Sequence, residues 1–194
     1  MMNTTRWIRI ALAGALVALL GACAHPINLE PKDLPERQES KLVAKKVAYV
    51  ISDADRAKEV TSPGGGGDKV SYFPYRDMEK AIRSALRAVY TEVTGLKSGK
   101  EATGTDHSLV FTPTITTTSS SPSAFTWPPT KFTADLSCAV TDATGNAVTS
   151  VQAVGNGAAE FDEFKSDFSL SARRAVADAV AKLVEEIKRN DKLR

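Results

Sequence analysis

The chain predicts an α+β two-layer sandwich: a four-stranded, mostly antiparallel sheet with two helices on one face, in the order β-α-β-β-β-α. Three observations carry that prediction. Two segments place apolar residues at the three-and-four spacing of one helical face. Several others alternate apolar and polar residues at the two-residue period of a strand. No internal repeat or second set of elements calls for another domain.

Lys46 to Ser52 reads as the first strand. Val47, Tyr49 and Ile51 alternate with Ala48 and Val50, so both faces are apolar enough for a central position. Asp53 to Tyr75, with Pro63, Gly64 to Gly67 and Pro74, reads as a long loop. Asp77 can cap the next segment, where Met78, Ile82, Ala85, Leu86, Val89 and Val93 share a helical face that Gly95 ends. Ser108 to Thr118 is β-branched and alternating, and Pro113 makes it an edge strand or breaks it. Ser119 to Pro129 is a Ser/Pro-rich loop bearing Phe125 and Trp127.

The clearest strand follows. Phe132, Ala134, Leu136, Cys138 and Val140 alternate with Thr133, Asp135, Ser137, Ala139 and Thr141, putting one face in the core and the other toward water. Asp142 to Asn146 supplies hairpin-turn chemistry, and Ala147 to Val154 returns as the partner strand. Gly155-Asn156-Gly157 marks a bulge or strand end. Ser169 to Arg189 closes the chain as an amphipathic helix with Ala172, Val176, Ala179, Val180, Leu183 and Ile187 along one stripe. With both helices on one side, the other sheet face is expected to be threonine-rich and open.

The amino terminus has a different character. Arg6 and Arg9 precede an uncharged run from Ile10 to Leu20, followed by small residues, which is the pattern of an export signal. The run is about half the ~20 residues of a spanning helix, so it reads as a cleaved signal. Leu20-Gly21-Ala22-Cys23 resembles the lipobox of bacterial lipoproteins. That resemblance implies a signal peptide over residues 1–22, cleavage before Cys23 and lipidation of Cys23 with acyl chains such as palmitate. Two or three chains together hold a protein firmly to a bilayer. Ala24, rather than Asp, resembles the pattern sorted to the outer membrane, facing the periplasm. Residues 23–44, proline-bearing and charged, then read as a flexible tether, and 45–194 as a single globular domain.

Composition changes once the signal is removed. The chain carries 25 Lys plus Arg against 23 Asp plus Glu, and the signal takes away Arg6 and Arg9, leaving a neutral domain. A nucleic-acid footprint needs clustered positive excess, so that class is set aside. Cys138 is the only other cysteine, and with Cys23 acylated no internal disulfide can form.

Catalytic and metal chemistry finds no footing in these residues. Gly64 to Gly67 lacks the Gly-Lys-Ser/Thr ending of a phosphate loop. Asp53-Ala54-Asp55 lacks the rest of a calcium loop and reads as a strand-end turn. His25 and His107 have no companion ligands for zinc. Cys138 lies on an apolar strand face, where a thiol is a small buried hydrophobe. Glu160, Asp162 and Glu163 suit the start of the last helix. No enzyme activity, cofactor or metal is therefore expected. Loop aromatics are the remaining lead: Tyr72, Phe73 and Tyr75 in one loop and Phe125 and Trp127 in another either bind a partner or fold back onto the core.

The lipobox, the proline-bearing segment, the first strand ending in acidic residues (Val47 to Asp55) and the Asp142-Ala143-Thr144-Gly145-Asn146 hairpin before a terminal helix together resemble small outer-membrane lipoproteins of the YajG-like kind. The likeness extends more distantly to lipoprotein activators of penicillin-binding proteins and to the periplasmic part of the curli-secretion lipoprotein. It implies a non-enzymatic, membrane-anchored protein binding a protein partner in envelope assembly or maintenance. A carrier or chaperone of a lipid or other apolar ligand is the alternative.

Overall fold

Among residues 24–63, 69–121 and 130–194, which this computed structural model describes, the chain forms two sheets and four helices. In order they are β1 (Ala24–Pro26), β2 (Val43–Val50), α1 (Asp53–Arg56), β3 (Val60–Pro63), β4 (Lys69–Tyr72), α2 (Pro74–Arg87), β5 (Tyr90–Leu96), β6 (Leu109–Ser120), β7 (Lys131–Thr141), β8 (Ala147–Ala158), α3 (Phe161–Ser166) and α4 (Leu170–Arg189). The larger sheet has the order β5-β2-β6-β7-β8. Its β2 runs parallel to β5 and β6, whereas β6, β7 and β8 form an antiparallel meander. The smaller sheet, β1-β4-β3, pairs β1 parallel and β3 antiparallel to β4.

The mixed class is the expected one, but the single four-stranded sheet is not. The additional strand of the large sheet is β5. Helix α2 stops at Arg87, and Tyr90–Leu96 leaves it to pair with β2. Val89 and Val93 happen to continue the helical spacing, but the run Val89-Tyr90-Thr91-Glu92-Val93-Thr94 is rich in β-branched and aromatic residues that favour a strand. Gly95 therefore ends no helix. It lies opposite Tyr49, and a Cβ there would come within 2.6 Å of the Tyr49 hydroxyl. The expected loop over Asp53 to Tyr75 likewise contains α1, β3, β4 and the first turn of α2. Asp77 is not a cap, because Pro74 already occupies the first turn and Asp77 lies inside the helix.

Both long helices cover one face of the large sheet. Ala172, Val176, Ala179, Val180, Leu183 and Ile187 of α4 are fully buried against Ala134, Leu136, Cys138, Val140, Val151 and Ala153. Met78, Ala81, Ile82, Ala85 and Leu86 of α2 join the same core. Gly155 and Gly157 lie in the last four residues of β8, at its end rather than at a bulge, and the reason is the close approach of α4. A Cβ on Gly155 would lie 2.0 Å from the Ala175 carbonyl oxygen, and one on Gly157 would lie 2.0 Å from that of Ser171. Only hydrogen fits between the two backbones.

Pro113 is accommodated as expected of an edge. β2 pairs with β6 only as far as Phe111, so beyond that point β6 has β7 as its ladder partner within this sheet. On the open face, Thr112, Thr114 and Thr116 stand beside Asp135, Ser137 and Ala139 and then Ser150, Gln152 and Val154. A small apolar cluster of Ala48, Leu96, Ala102 and Val110 covers one end of that face, and Gln152 Nε2 donates to both Asp135 oxygens at 2.9 Å.

The described part of residues 23–44, where a tether was expected, is laid against the domain. Leu29 is fully buried, and Arg37 donates to the carbonyls of Arg87, Tyr90 and Thr91 at 3.1 Å each. These bonds occupy backbone acceptors at the end of α2 and the start of β5. Farther along, Arg56 clamps Glu79 with two bonds of 2.7 Å while the Tyr49 hydroxyl donates to Glu79 at 3.0 Å, joining α1, α2 and β2.

Candidate functional site at the amino-terminal pole

Strand register gathers many chain ends at one pole. β1 begins at Ala24, the residue after Cys23, and Ala24 pairs with Lys69, which also faces Pro63 at the end of β3. Ser62 Oγ lies 2.7 Å from Ser119 Oγ at the end of β6. Ser120 pairs with Lys131, and Lys131 with Ala158. The start of α4 closes the pole, since the Asn28 amide donates to Ser169 Oγ at 3.0 Å. At the opposite pole lie the Asp142–Asn146 turn and the end of α4, where the Tyr90 hydroxyl donates to the Leu193 carbonyl at 3.0 Å.

Three phenylalanines from α3 and the turn after it define the surface of the first pole. Phe161, Phe164 and Phe168 are spaced as one face of a continuous helix, but α3 ends at Ser166 and Asp167 is extended. Only Phe164 therefore enters the core. Phe161 remains 55% exposed and Phe168 41% exposed. The Phe168 ring stands 5.0 Å from Phe164 and 6.3 Å from His25, while Lys165 Nζ lies 4.7 Å above the Phe161 ring.

Charge around these rings is largely paired. Glu163, expected to start the last helix, belongs instead to α3 and accepts from Arg174 of α4 at 2.9 and 2.8 Å. That guanidinium, aided by the Glu160 amide, holds the Glu163 carboxyl down at about 2. Asp167 pairs with Arg173, and Asp162 with Lys165 at 3.3 Å.

The residues singled out in the sequence separate into three groups. Tyr72, expected as a loop contact, is buried in β4, where its hydroxyl shares a 2.8 Å bond with Thr117 and its ring stands edge-on to Phe132 at 5.4 Å. Tyr75 is also buried and accepts from the Ile115 amide. Phe73 is half-buried and carries the Arg76 guanidinium 3.8 Å over its ring. Cys23, Phe125 and Trp127 lie outside the described residues, as does the Gly64 to Gly67 run. Sequence reading missed Phe161 and Phe168. Their exposure follows from the early end of α3 at Ser166, which the sequence does not announce.

The chemical candidates separate as clearly. Cys138 is 1% exposed, and burial pushes its thiol up to about 12, which disfavours the thiolate. His107 Nδ1 bonds Thr105 Oγ1 at 2.7 Å, and His25 stands in β1. Among the described residues no three His, Cys, Asp or Glu side chains gather where they could hold a metal ion. Asp53 and Asp55 belong to a helical turn capped by Ser52, whose Oγ accepts from the Asp55 amide at 3.0 Å. Asp77 is buried with Oδ2 lacking a hydrogen-bond partner, while its Oδ1 accepts from Arg76 at 3.2 Å. Beside α4, a groove of about 370 Å³ is lined by Leu34, Pro35, Ala88, Ala177, Ala181 and Val184.

No protein-family model and no curated protein matches the chain. Among solved structures, protein XCC0632 from Xanthomonas campestris, of family DUF330, is 9% identical, with a TM-score of 0.46 over 86% of this chain and 95% of its own. A protein from Caulobacter crescentus, provisionally described as a lipoprotein, is 13% identical, with a TM-score of 0.34 over 71% of this chain and 85% of its own.

Proposed function

We propose that this chain is an exported lipoprotein, acylated on Cys23 and held on the periplasmic side of the outer membrane, whose domain binds a protein partner of the cell envelope without catalysing a reaction. The observation that carries the reading is the Leu20-Gly21-Ala22-Cys23 box behind two arginines and an uncharged run, which resembles the lipobox of exported lipoproteins. No helix among the described residues is long and apolar enough to cross a membrane, and acyl chains on Cys23 supply attachment without one. Partner binding is supported by the open sheet face, a flat array of hydroxyls beside Asp135 and Gln152 that the helices leave uncovered.

Two measurements test it. Intact mass and phase partitioning of the envelope protein are expected to show an acylated species that Cys23→Ala abolishes. Photo-crosslinkers at Thr114 and Gln152 in living cells are expected to capture a discrete envelope protein. A chain that stays unacylated, or crosslinks that recover only the monomer, would sink the respective half.

The groove beside α4 supports the second reading, a carrier of an apolar ligand. Its volume of about 370 Å³ falls at the low end of ligand sites, ~300–1,000 Å³. Native mass spectrometry showing a bound lipid that Ala181→Trp displaces is the result that would favour it.

A further inference from the structure

We infer that Phe161 and Phe168 form a membrane-seating patch, inserting into the lipid headgroup region beside Cys23 and fixing the domain with its amino-terminal pole down. The inference rests on the acylation proposed above and adds to it an orientation and the residues that set it.

The geometry leaves the anchor little slack. Cys23 adjoins β1, which is paired with β4, and the chain beyond it is pinned by buried Ile27 and Leu29. Two residues of extended chain reach ~7 Å, so the acyl-bearing residue stays close to His25, whose ring is 6.3 Å from Phe168. Acyl chains fixed at Cys23 therefore bring this pole against the headgroups. A domain on a long tether has no preferred face toward the bilayer, but one anchored at the residue before a paired strand does.

The surface brought down suits that environment. Among the described residues, the exposed large hydrophobic side chains are Phe161, Phe168 and Val154, and the two phenylalanines belong to this pole. Exposed aromatics at the end of a short helix can sink ~5–10 Å into the headgroup boundary. Lys165, poised over the Phe161 ring, stays paired with Asp162 at 3.3 Å and so adds no unbalanced charge beside that ring. Glu163, Asp167 and Asp162 are matched by Arg174, Arg173 and Lys165, so paired carboxylates limit repulsion from an anionic surface. Ring insertion, rather than net charge, is then the seating force.

The test uses the acylated full-length product in vesicles of phosphatidylethanolamine and phosphatidylglycerol, with an environment-sensitive fluorophore on Phe161→Cys, Phe168→Cys or, at the opposite pole, Thr144→Cys. Buried Cys138 does not compete for the label. A quencher carried on the lipid chains is expected to quench the labels at 161 and 168 roughly threefold or more over that at 144, as interfacial insertion requires. Replacing the unlabelled phenylalanine of the pair by serine is expected to lower quenching at the labelled one. Intact mass measured on the same samples separates the two ideas. Absence of acyl mass overturns the lipoprotein reading and the seating with it. Acyl mass with equal quenching at all three sites overturns the seating alone, as does protection of 161 and 168 by a second copy or another protein, detected by crosslinking without lipid quenching.

Discussion

The two faces of the large sheet use the same strands for opposite ends. On the covered face, Ala134, Leu136, Cys138 and Val140 meet α4 with no room to spare, and Gly155 and Gly157 let the helix backbone rest almost on the strand. On the open face, threonines, serines and Gln152 stand in ladders that touch water. Change on the covered face must displace a backbone, whereas change on the open face displaces water. Stability is therefore concentrated on one side of a sheet two residues deep in period, and the other side is left free to vary.

Gly155→Val is the most direct way to break the contrast. Its added carbons meet the Ala175 carbonyl, so α4 must lift, and a loss of about 3 kcal/mol or more is expected in urea unfolding. Leu183→Ala opens a cavity under the same helix and is expected to cost ~2–5 kcal/mol in the same measurement. Gly95→Ala tests the other edge. There the obstacle is the buried Tyr49 ring, which can give way only by straining its hydroxyl's bond to Glu79, so a cost of about 1–2 kcal/mol is expected, measured as a melting temperature lowered by several degrees. Thr114→Val on the open face is expected to stay within about 0.5 kcal/mol of the parent.

Acid sharpens the comparison from the rim. Asp142 accepts from the amides of Thr144 and Asn146 and from their side chains, and the Thr144 hydroxyl chiefly, then the Asn146 amide group, hold its carboxyl down at about 2. A carboxyl of the unfolded chain titrates near ~4. Since the folded value is the lower one, the turn adds stability above pH ~4 that is lost as pH falls toward about 2. Glu163 follows the same sign through Arg174. Urea midpoints measured from pH 5 downward should fall less steeply in Asp142→Asn than in the parent, and an unchanged slope would show that the turn does not carry the effect.

The covered face was legible because its signals are long. β7 alternates without interruption and α4 keeps one stripe over twenty residues, so Phe132 through Val140 and Ala172 through Ile187 could be placed from period alone. β3 and β4 are four residues each, too short for a period to register, and they exist because β4 finds β1 far back in the chain. β5 was hidden by a coincidence of spacing at Val89 and Val93. Of the candidate site, the sequence named Cys23, which lies outside the described residues. Tyr72 looked like a loop aromatic because its strand was unseen, and Phe161 and Phe168 drew no notice because the end of α3 at Ser166 carries no Gly or Pro to announce it.

On the export and acylation proposed above, strand β1 also sets a timetable. It is made early, but the strand that receives it, Lys69–Tyr72, follows only after the chain between them has been synthesised, several seconds at ~5–20 residues per second. Through that interval the segment around Cys23 has no partner in the sheet and stays open to modifying enzymes. Once β4 arrives and β1 zips onto it, the residues from Ala24 to Pro26 are held in a sheet. On the acylation proposed above, lipid attachment and folding thus form a race whose order is written into the distance between two paired strands, and a variant that brought β1's partner forward in the chain would be modified less completely.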